Sequence, residues 1–248
     1  MVSLIRNFKL VLAYDGAGFM GWQIQPGVRT VQETLESSLE KIFDHPVRII
    51  ASGRTDAGVH ALGQVVNFHA ASSIPTDGLL RGLNAVLPGD VSVISVTEAS
   101  PDFHARYMAR SKSYLYIIDT KEVRSPFLER YALHIRFPVD VPAMGKSARY
   151  LLGEHDFASF LAAGSEVRTS VRTITATEVM SRGSKVLFWI QGSGFLRHMV
   201  RNIVGTLLLV GRGKLLPEDM QRIIALKDRS CAGPTAPPQG LYLIGVEY

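Results

Sequence analysis

The sequence predicts an α+β protein made of two halves, each a β-α-β-β-α-β unit of the split βαβ type. Three observations carry this reading. Short apolar runs with strand character alternate with runs of helical period; the same order occurs twice without any repeat of the residues; and Pro101 with Asp102 interrupts the pattern between Ser100 and Arg106. At roughly 150 residues per domain, 248 residues suit one large domain or two small ones. The interruption places the halves at 1–104 and 105–248.

Asn7 to Tyr14 is rich in apolar and aromatic residues and runs into Asp15-Gly16-Ala17-Gly18, a strand entering a loop. Thr30 and Glu33 have capping-box spacing, and Val31, Leu35, Leu39 and Ile42 recur at helical intervals until His45-Pro46 stops them. Val47 to Ala51 and Gln64 to Phe68 read as strands around a glycine-bearing connection. Thr76 to Leu87 reads as a helix ended by Pro88-Gly89, and Val91 to Thr97 as a strand. The second half gives strands near Ser113–Asp119, Thr173–Met180 and Lys185–Gln191, with a helix from about Asp140 to Leu152. Helices at Phe195–Val210 and Pro217–Leu226 and a last strand, Leu241–Val246, complete it. Gly233-Pro234-Thr235-Ala236-Pro237-Pro238 has to be an irregular loop.

Composition narrows the class. With 46% hydrophobic and 20% charged residues, disorder, collagen-like repeats and a long coiled coil are excluded as the main state. The longest nearly apolar stretch, Ile203 to Val210, lies between Arg201 and Arg212 and is far short of the ~20 residues a membrane span needs. The first ten residues lack an apolar core followed by a cleavage site, and Cys231 is the only cysteine. A cytoplasmic protein without disulfides is expected. The net charge of +5 is unevenly spread: residues 1–105 carry 7 Lys+Arg against 10 Asp+Glu, and 106–248 carry 20 against 12. A basic half suits a polyanion partner, because cations placed on phosphates release condensed counterions.

The segment that stands out chemically is Ala51-Ser52-Gly53-Arg54-Thr55-Asp56-Ala57-Gly58-Val59-His60-Ala61. It sets Arg54, Asp56 and His60 among small residues on a loop between strands, where backbone can approach a ligand closely. Taken alone, Asp56 reads either as a functional carboxylate or as a turn cap with Gly58 supplying positive φ.

This segment resembles the catalytic loop of the tRNA pseudouridine synthase A (TruA) family. Further blocks similar to that family are Leu87-Pro88-Gly89-Asp90, Asp102-Phe103-His104-Ala105-Arg106, Tyr114-Leu115-Tyr116, Gly153-Glu154-His155-Asp156-Phe157, the run from Phe195 to Gly205, and Ala236-Pro237-Pro238-Gln239-Gly240-Leu241. They fall in family order along the whole chain. The resemblance implies an isomerase that converts uridine to pseudouridine at positions 38 to 40 of the tRNA anticodon stem-loop, with Asp56 as the catalytic residue. It also implies a homodimer, with one tRNA contacting both subunits. The atoms of the substrate are only rearranged, so no cofactor, nucleotide or metal is called for.

Roles for other residues follow from the same resemblance. Arg201, expected two turns into its helix, matches the family's basic active-site position and supplies the cation that keeps a desolvated aspartate ionised. Tyr114 matches the tyrosine that stacks on the extruded uracil. Tyr116, two residues on, is read as facing the other way, so that one of the pair belongs to the core. Leu241 matches an apolar residue closing the pocket, and Arg54 is placed to fill the gap left by the flipped base or to hold a phosphate. By charge rather than by resemblance, Arg106, Arg110, Lys112, Lys121, Arg124, Arg130 and Arg136, against three acidic residues between 106 and 136, read either as a basic track for the anticodon stem or as a solvated face. The two domains are expected to be ferredoxin-like, or RRM-like, with antiparallel sheets flanking a basic central cleft in which Asp56 faces Tyr114 and Arg201.

Two rivals remain open on the residues. One is a non-catalytic RNA-binding protein with two RRM-like halves, which the absence of an RNP-type aromatic run in the central strands argues against. The other is a metal-dependent nuclease using Asp15, Asp56 and Asp102. His155-Asp156 reads as a cap on the following turn rather than a metal pair, and no histidines stand at i, i+4 ligand spacing.

Overall fold

A computed structural model describes residues 5–165 and 167–248; Met1 to Leu4, the start of the segment read for an export signal, lie outside them. The fold is mixed α/β. In chain order come β1 (Ile5–Tyr14), α1 (Val31–Phe43), β2 (Ile50–Ala51), β3 (His60–Ala71), α2 (Thr76–Val86), β4 (Val91–Ala99), β5 (Ser111–Asp119), β6 (Leu133–His134), α3 (Val141–Arg149), β7 (Gly153–Asp156), β8 (Val171–Arg182), β9 (Lys185–Gly192), α4 (Met199–Gly211), α5 (Asp219–Leu226) and β10 (Leu241–Glu247). Two compact units emerge. One holds the residues up to Arg110 together with Leu243–Tyr248, and the other Ser111–Tyr242. The carboxy-terminal residues from Leu243 on, grouped by sequence with 105–248, thus belong to the first unit, where β10 lies next to β3.

In the first unit β4, β1 and β3 are adjacent and antiparallel, and β2 pairs with β3. Strand alternation buries Phe8, Leu10, Leu12 and Tyr14 of β1 on one face. The buried stripe Val31, Leu35 and Leu39 of α1 follows the helical period. Phe43, at the end of α1, closes against Phe8 and Phe68 with ring centroids 6.4 and 5.8 Å apart. Asn84 of α2 both donates to the Val93 carbonyl and accepts from its N–H, each at 2.9 Å, which ties the helix to β4.

Two local expectations change. The Thr30 side chain makes no capping bond, and the first two helix amides, Val31 and Gln32, donate instead to the Gly21 and Trp22 carbonyls at 3.2 and 3.0 Å. The strand expected over Val47–Ala51 shrinks to Ile50–Ala51, since the Ile49 amide donates to the Glu36 carboxylate of α1 instead of entering a ladder.

In the second unit β5, β9, β8 and β7 follow one another antiparallel, and β6 adds to β5 in parallel. Both β6 and β7 are too short for their pattern to show in sequence. The helix expected from Phe195 begins only at Met199. His198 takes a left-handed φ of 62° at its N-cap, which interrupts a right-handed path, so Arg201 stands in the first turn of α4 and not two turns along.

The irregular loop around 233–238 is clamped to α4. Asn202, fully buried, accepts from Thr235 Oγ1 at 2.7 Å and from Arg229 at 3.1 Å, and donates to the Phe160 carbonyl at 2.8 Å. The Gly233 amide donates to Thr206 Oγ1 at 2.8 Å. Pro234 lies so close to the helix that a Cβ on Gly205 would stand 1.7 Å from its carbonyl oxygen. Replacing Gly205 by Ala therefore has to displace the loop, at a cost of about 1–3 kcal/mol or more. Gly145 of α3 has no neighbour within 4 Å of such a Cβ, and Gly145→Ala gains about 0.5–1 kcal/mol from helix propensity. Thermal and denaturant melts should give opposite signs for the two substitutions.

Candidate active site

The loop bearing Asp56 runs from Ser52 to Val59, and what fixes it is a side chain in the middle of a strand. Gln64 of β3 has no exposed surface; its Oε1 accepts from Ser52 Oγ at 2.7 Å and its Nε2 donates to the Gly53 carbonyl at 2.8 Å. Thr55, immediately before Asp56, is held from two directions. Its hydroxyl shares a 2.8 Å hydrogen bond with Tyr14 and its carbonyl accepts from the Trp22 amide at 3.0 Å. Burial pushes the Tyr14 hydroxyl up to about 12, so it stays protonated throughout the physiological range. Beyond Asp56 the chain turns, with the Val59 amide donating to the Asp56 carbonyl at 3.1 Å and Gly58 at a φ of 76°. The turn-forming role of Gly58 is thus real, and it leaves the Asp56 side chain partly exposed while Thr55 and Val59 on either side are buried.

His60 is not on this loop. It opens β3 almost wholly buried, its Nδ1 accepting from the Gly16 amide at 3.1 Å with the Asp15 carboxylate also 3.1 Å away. Only one of those two nitrogen roles exists at a time, because accepting from an amide requires an unprotonated Nδ1. Arg54 is exposed. Next to these turns Arg29 grips Asp90 through two hydrogen bonds of 2.6 and 2.8 Å, with its guanidinium carbon 4.1 Å from the Phe19 ring centroid. The pairing holds the Asp90 carboxyl below its usual range.

The second unit places the other sequence-nominated residues. Tyr114 and Tyr116 lie on one face of β5, not on opposite faces as expected, because residues two apart on a strand share a side. They still differ in surroundings. Tyr114 keeps 8% of its surface and meets Phe195 edge-on, at 5.0 Å and 79°. Tyr116 is fully buried and donates to the Pro237 carbonyl at 2.7 Å; burial raises its hydroxyl pKa, with the positive charge of Arg201 acting in the opposite sense. Arg201 is itself clasped to the loop: its Nε donates to the Ala236 carbonyl at 2.7 Å, and its own carbonyl accepts from the Ala236 amide at 3.1 Å. Leu241 is 5% exposed at the start of β10. Tyr116, Arg201, Pro237 and Ala236 are therefore one hydrogen-bonded group, and Tyr114 stands on the same strand face.

The remaining nominations disperse. Arg124 is ion-paired to Glu129, whereas Arg106 and Arg110 are exposed. Asp15 accepts from the Ala17 amide and Asp102 from Ser100 Oγ, both within their own turns. Among the described residues no group of three or more His, Cys, Asp or Glu side chains is placed to hold a metal ion. Asp156 accepts from the Ala158 amide, as its turn-capping reading requires, and also meets Lys227 at 3.1 Å. Sequence reasoning missed Gln64, Asn67 and Asn202. Their signal was available, since each is a carboxamide inside a run otherwise fit for burial.

Among the described residues no helix is long and apolar enough to cross a membrane. Comparison with known proteins gives a consistent result. A family model described as tRNA pseudouridine synthase matches residues 10–108 and 147–248. The chain is 46% identical over 244 residues to the tRNA pseudouridine synthase A of Caldicellulosiruptor bescii, covering 98% of this chain and 100% of the relative. It is 47% identical to that of Geobacter sulfurreducens over the same shares, and 46% identical to that of Moorella thermoacetica over 97% of this chain and 98% of the relative. A match of that depth along both units means that the chain belongs to the tRNA pseudouridine synthase family.

Proposed function

We propose that this protein is an isomerase that converts uridine to pseudouridine in tRNA, acting on positions 38 to 40 of the anticodon stem-loop, with Asp56 as its catalytic residue. The observation that carries the reading is the near-full-length similarity to tRNA pseudouridine synthases, read together with a part-exposed carboxylate on a loop whose backbone is pinned at Gly53 and Thr55 before it and, by the Gly58 amide on the Phe19 carbonyl, after it. The reaction breaks the bond between ribose C1′ and uracil N1, turns the base, joins C1′ to C5, and removes the C5 proton while N1, freed from the sugar, takes one up. Substrate and product contain the same atoms, so the step balances without an oxidant or a second substrate.

Asp56 supplies the carboxylate that acts at C1′ as the glycosidic bond breaks, a position where carboxylates serve in glycoside hydrolysis. Effective chemistry there depends on reach, and the Gln64 and Tyr14–Thr55 contacts fix the backbone from which the side chain extends. Tyr114 offers its ring to the extruded uracil, and Phe195 braces it edge-on. Arg201 contributes positive charge and holds the Ala236–Pro237 backbone, while Leu241 adds apolar cover. Arg54, exposed beside Asp56, fills the space the flipped base leaves. The protein works in the cytoplasm as a homodimer, each tRNA reaching both copies.

Asp56→Asn keeps the size and loses the charge, and Asp56→Glu keeps the charge but overreaches by about 1.5 Å. Both variants should fold, bind tRNA and give essentially no pseudouridine in a single-turnover assay. Substantial product from Asp56→Asn would overturn the assignment. For Tyr114, Leu in place of the ring should lower turnover far more than tRNA affinity, by about 1–3 kcal/mol of lost stacking, and Phe should retain most activity. Equal turnover in wild type and both Tyr114 variants would remove it from the site. Excess chelator should leave product formation unchanged, and affinity should fall steeply with salt because the contacts are to phosphates.

A further inference from the structure

The segment following β4 carries an aromatic stack that the catalytic reading leaves unused. Tyr107 is 77% exposed, and its ring lies on the His104 imidazole at 4.2 Å with an interplanar angle of 26°. His104 is fixed over its own turn, since its Nδ1 accepts from the Arg106 and Tyr107 amides at 3.2 and 3.3 Å. The backbone beneath is anchored by side chains from β1, β3 and the end of the chain. Asn67, without exposed surface, accepts from the Ala105 amide at 2.8 Å and donates to the Phe103 carbonyl at 3.1 Å; Asn7 donates to the same carbonyl at 2.9 Å; and Tyr248 donates to the Ala105 carbonyl at 2.7 Å. One face of Tyr107 is thus backed by an aromatic on a rigid base, and most of the residue is exposed to solvent. Arg106 and Arg110 are exposed alongside, the Arg106 guanidinium carbon 5.8 Å from the Tyr107 ring centroid.

We propose that His104 and Tyr107 form a stacking platform for an unpaired nucleobase of the RNA substrate, with Arg106 and Arg110 meeting its flanking phosphates; this rests on the tRNA-modifying reading above. The chemistry selects the occupant. A preformed aromatic face accepts any base that is free to splay out, at a gain the ring supplies without sequence readout, while guanidinium groups beside it match phosphates. A purely apolar partner would leave two exposed cations without counter-charge. Paired bases, already stacked on each other, have no free face to offer.

The test measures binding of the whole protein to an unmodified tRNA transcript and to a blunt, fully paired RNA duplex. Tyr107→Ala should weaken tRNA binding about tenfold and leave duplex binding as in wild type, whereas Tyr107→Phe should stay within about twofold on tRNA. Arg106→Ala should reduce the salt slope of tRNA binding by about one, and Tyr107→Ala should not alter that slope. Because the Tyr107 side chain is exposed, melts should show the variants fully folded. Wild-type tRNA affinity in Tyr107→Ala overturns the platform, as does loss of self-association in sedimentation with tRNA affinity per copy intact, which would give the face to a second copy. A wild-type protein that binds tRNA but forms no pseudouridine defeats the catalytic reading instead, and the platform then stands or falls on the affinities alone.

Discussion

Backbone in an irregular loop has no ladder to hold it, so its amides and carbonyls must be satisfied by something that is itself immobile. Three side-chain carboxamides with no exposed surface meet that need here: Gln64 under the Asp56 loop, Asn67 under the segment 103–105, and Asn202 under the loop that follows Arg229. A carboxamide suits the task because it offers both donors and acceptors from one planar group and carries no charge to desolvate. Each hydrogen bond is worth only about 1 kcal/mol net, but leaving its partner buried and unsatisfied costs about 1–3 kcal/mol. That asymmetry is what makes the loops single-valued.

The same constraint explains why the loop bearing Asp56 depends on residues far away in sequence. Thr55 is fixed by Tyr14 at the end of β1 and by the Trp22 amide, and Ser52 and Gly53 by Gln64 from β3. Asp56 therefore emerges from a frame built by three segments, with its side chain left partly exposed. In the role proposed for Asp56, a carboxylate gains little from strength of binding and much from being held at one distance. In the second unit Arg201 plays two parts through one group, its charge felt at the Tyr116 hydroxyl and its Nε bound to the Ala236 carbonyl. An arginine at the first turn of a helix meets the positive end of the helix dipole, and that carbonyl offsets the mismatch.

Much of this was legible in sequence wherever a pattern extended over many residues. The strands β1, β4, β5 and β9 and the helices α1 and α2 stand within a few residues of their expected positions, because alternation and helical period accumulate along a run. Short features failed for the converse reason. The two-residue strands have no period to detect, and nothing local to Thr30 foretells that the first helix amides bond the Gly21 and Trp22 carbonyls while its own side chain makes no cap.

What the sequence determined by itself was the mixed α/β class, the order of most elements, the basic excess of the second half, and a set of motifs specific enough to mark the family. Tertiary structure decided which of the motif residues lie together. It withdrew His60 from the Asp56 loop into β3, moved Arg201 to the start of α4, and gave the last residues of the chain to the first unit. The physical reason is common to all three. A side chain's direction and partners are fixed by backbone hydrogen bonds and close packing between segments distant in sequence, and local pattern carries no record of those distances.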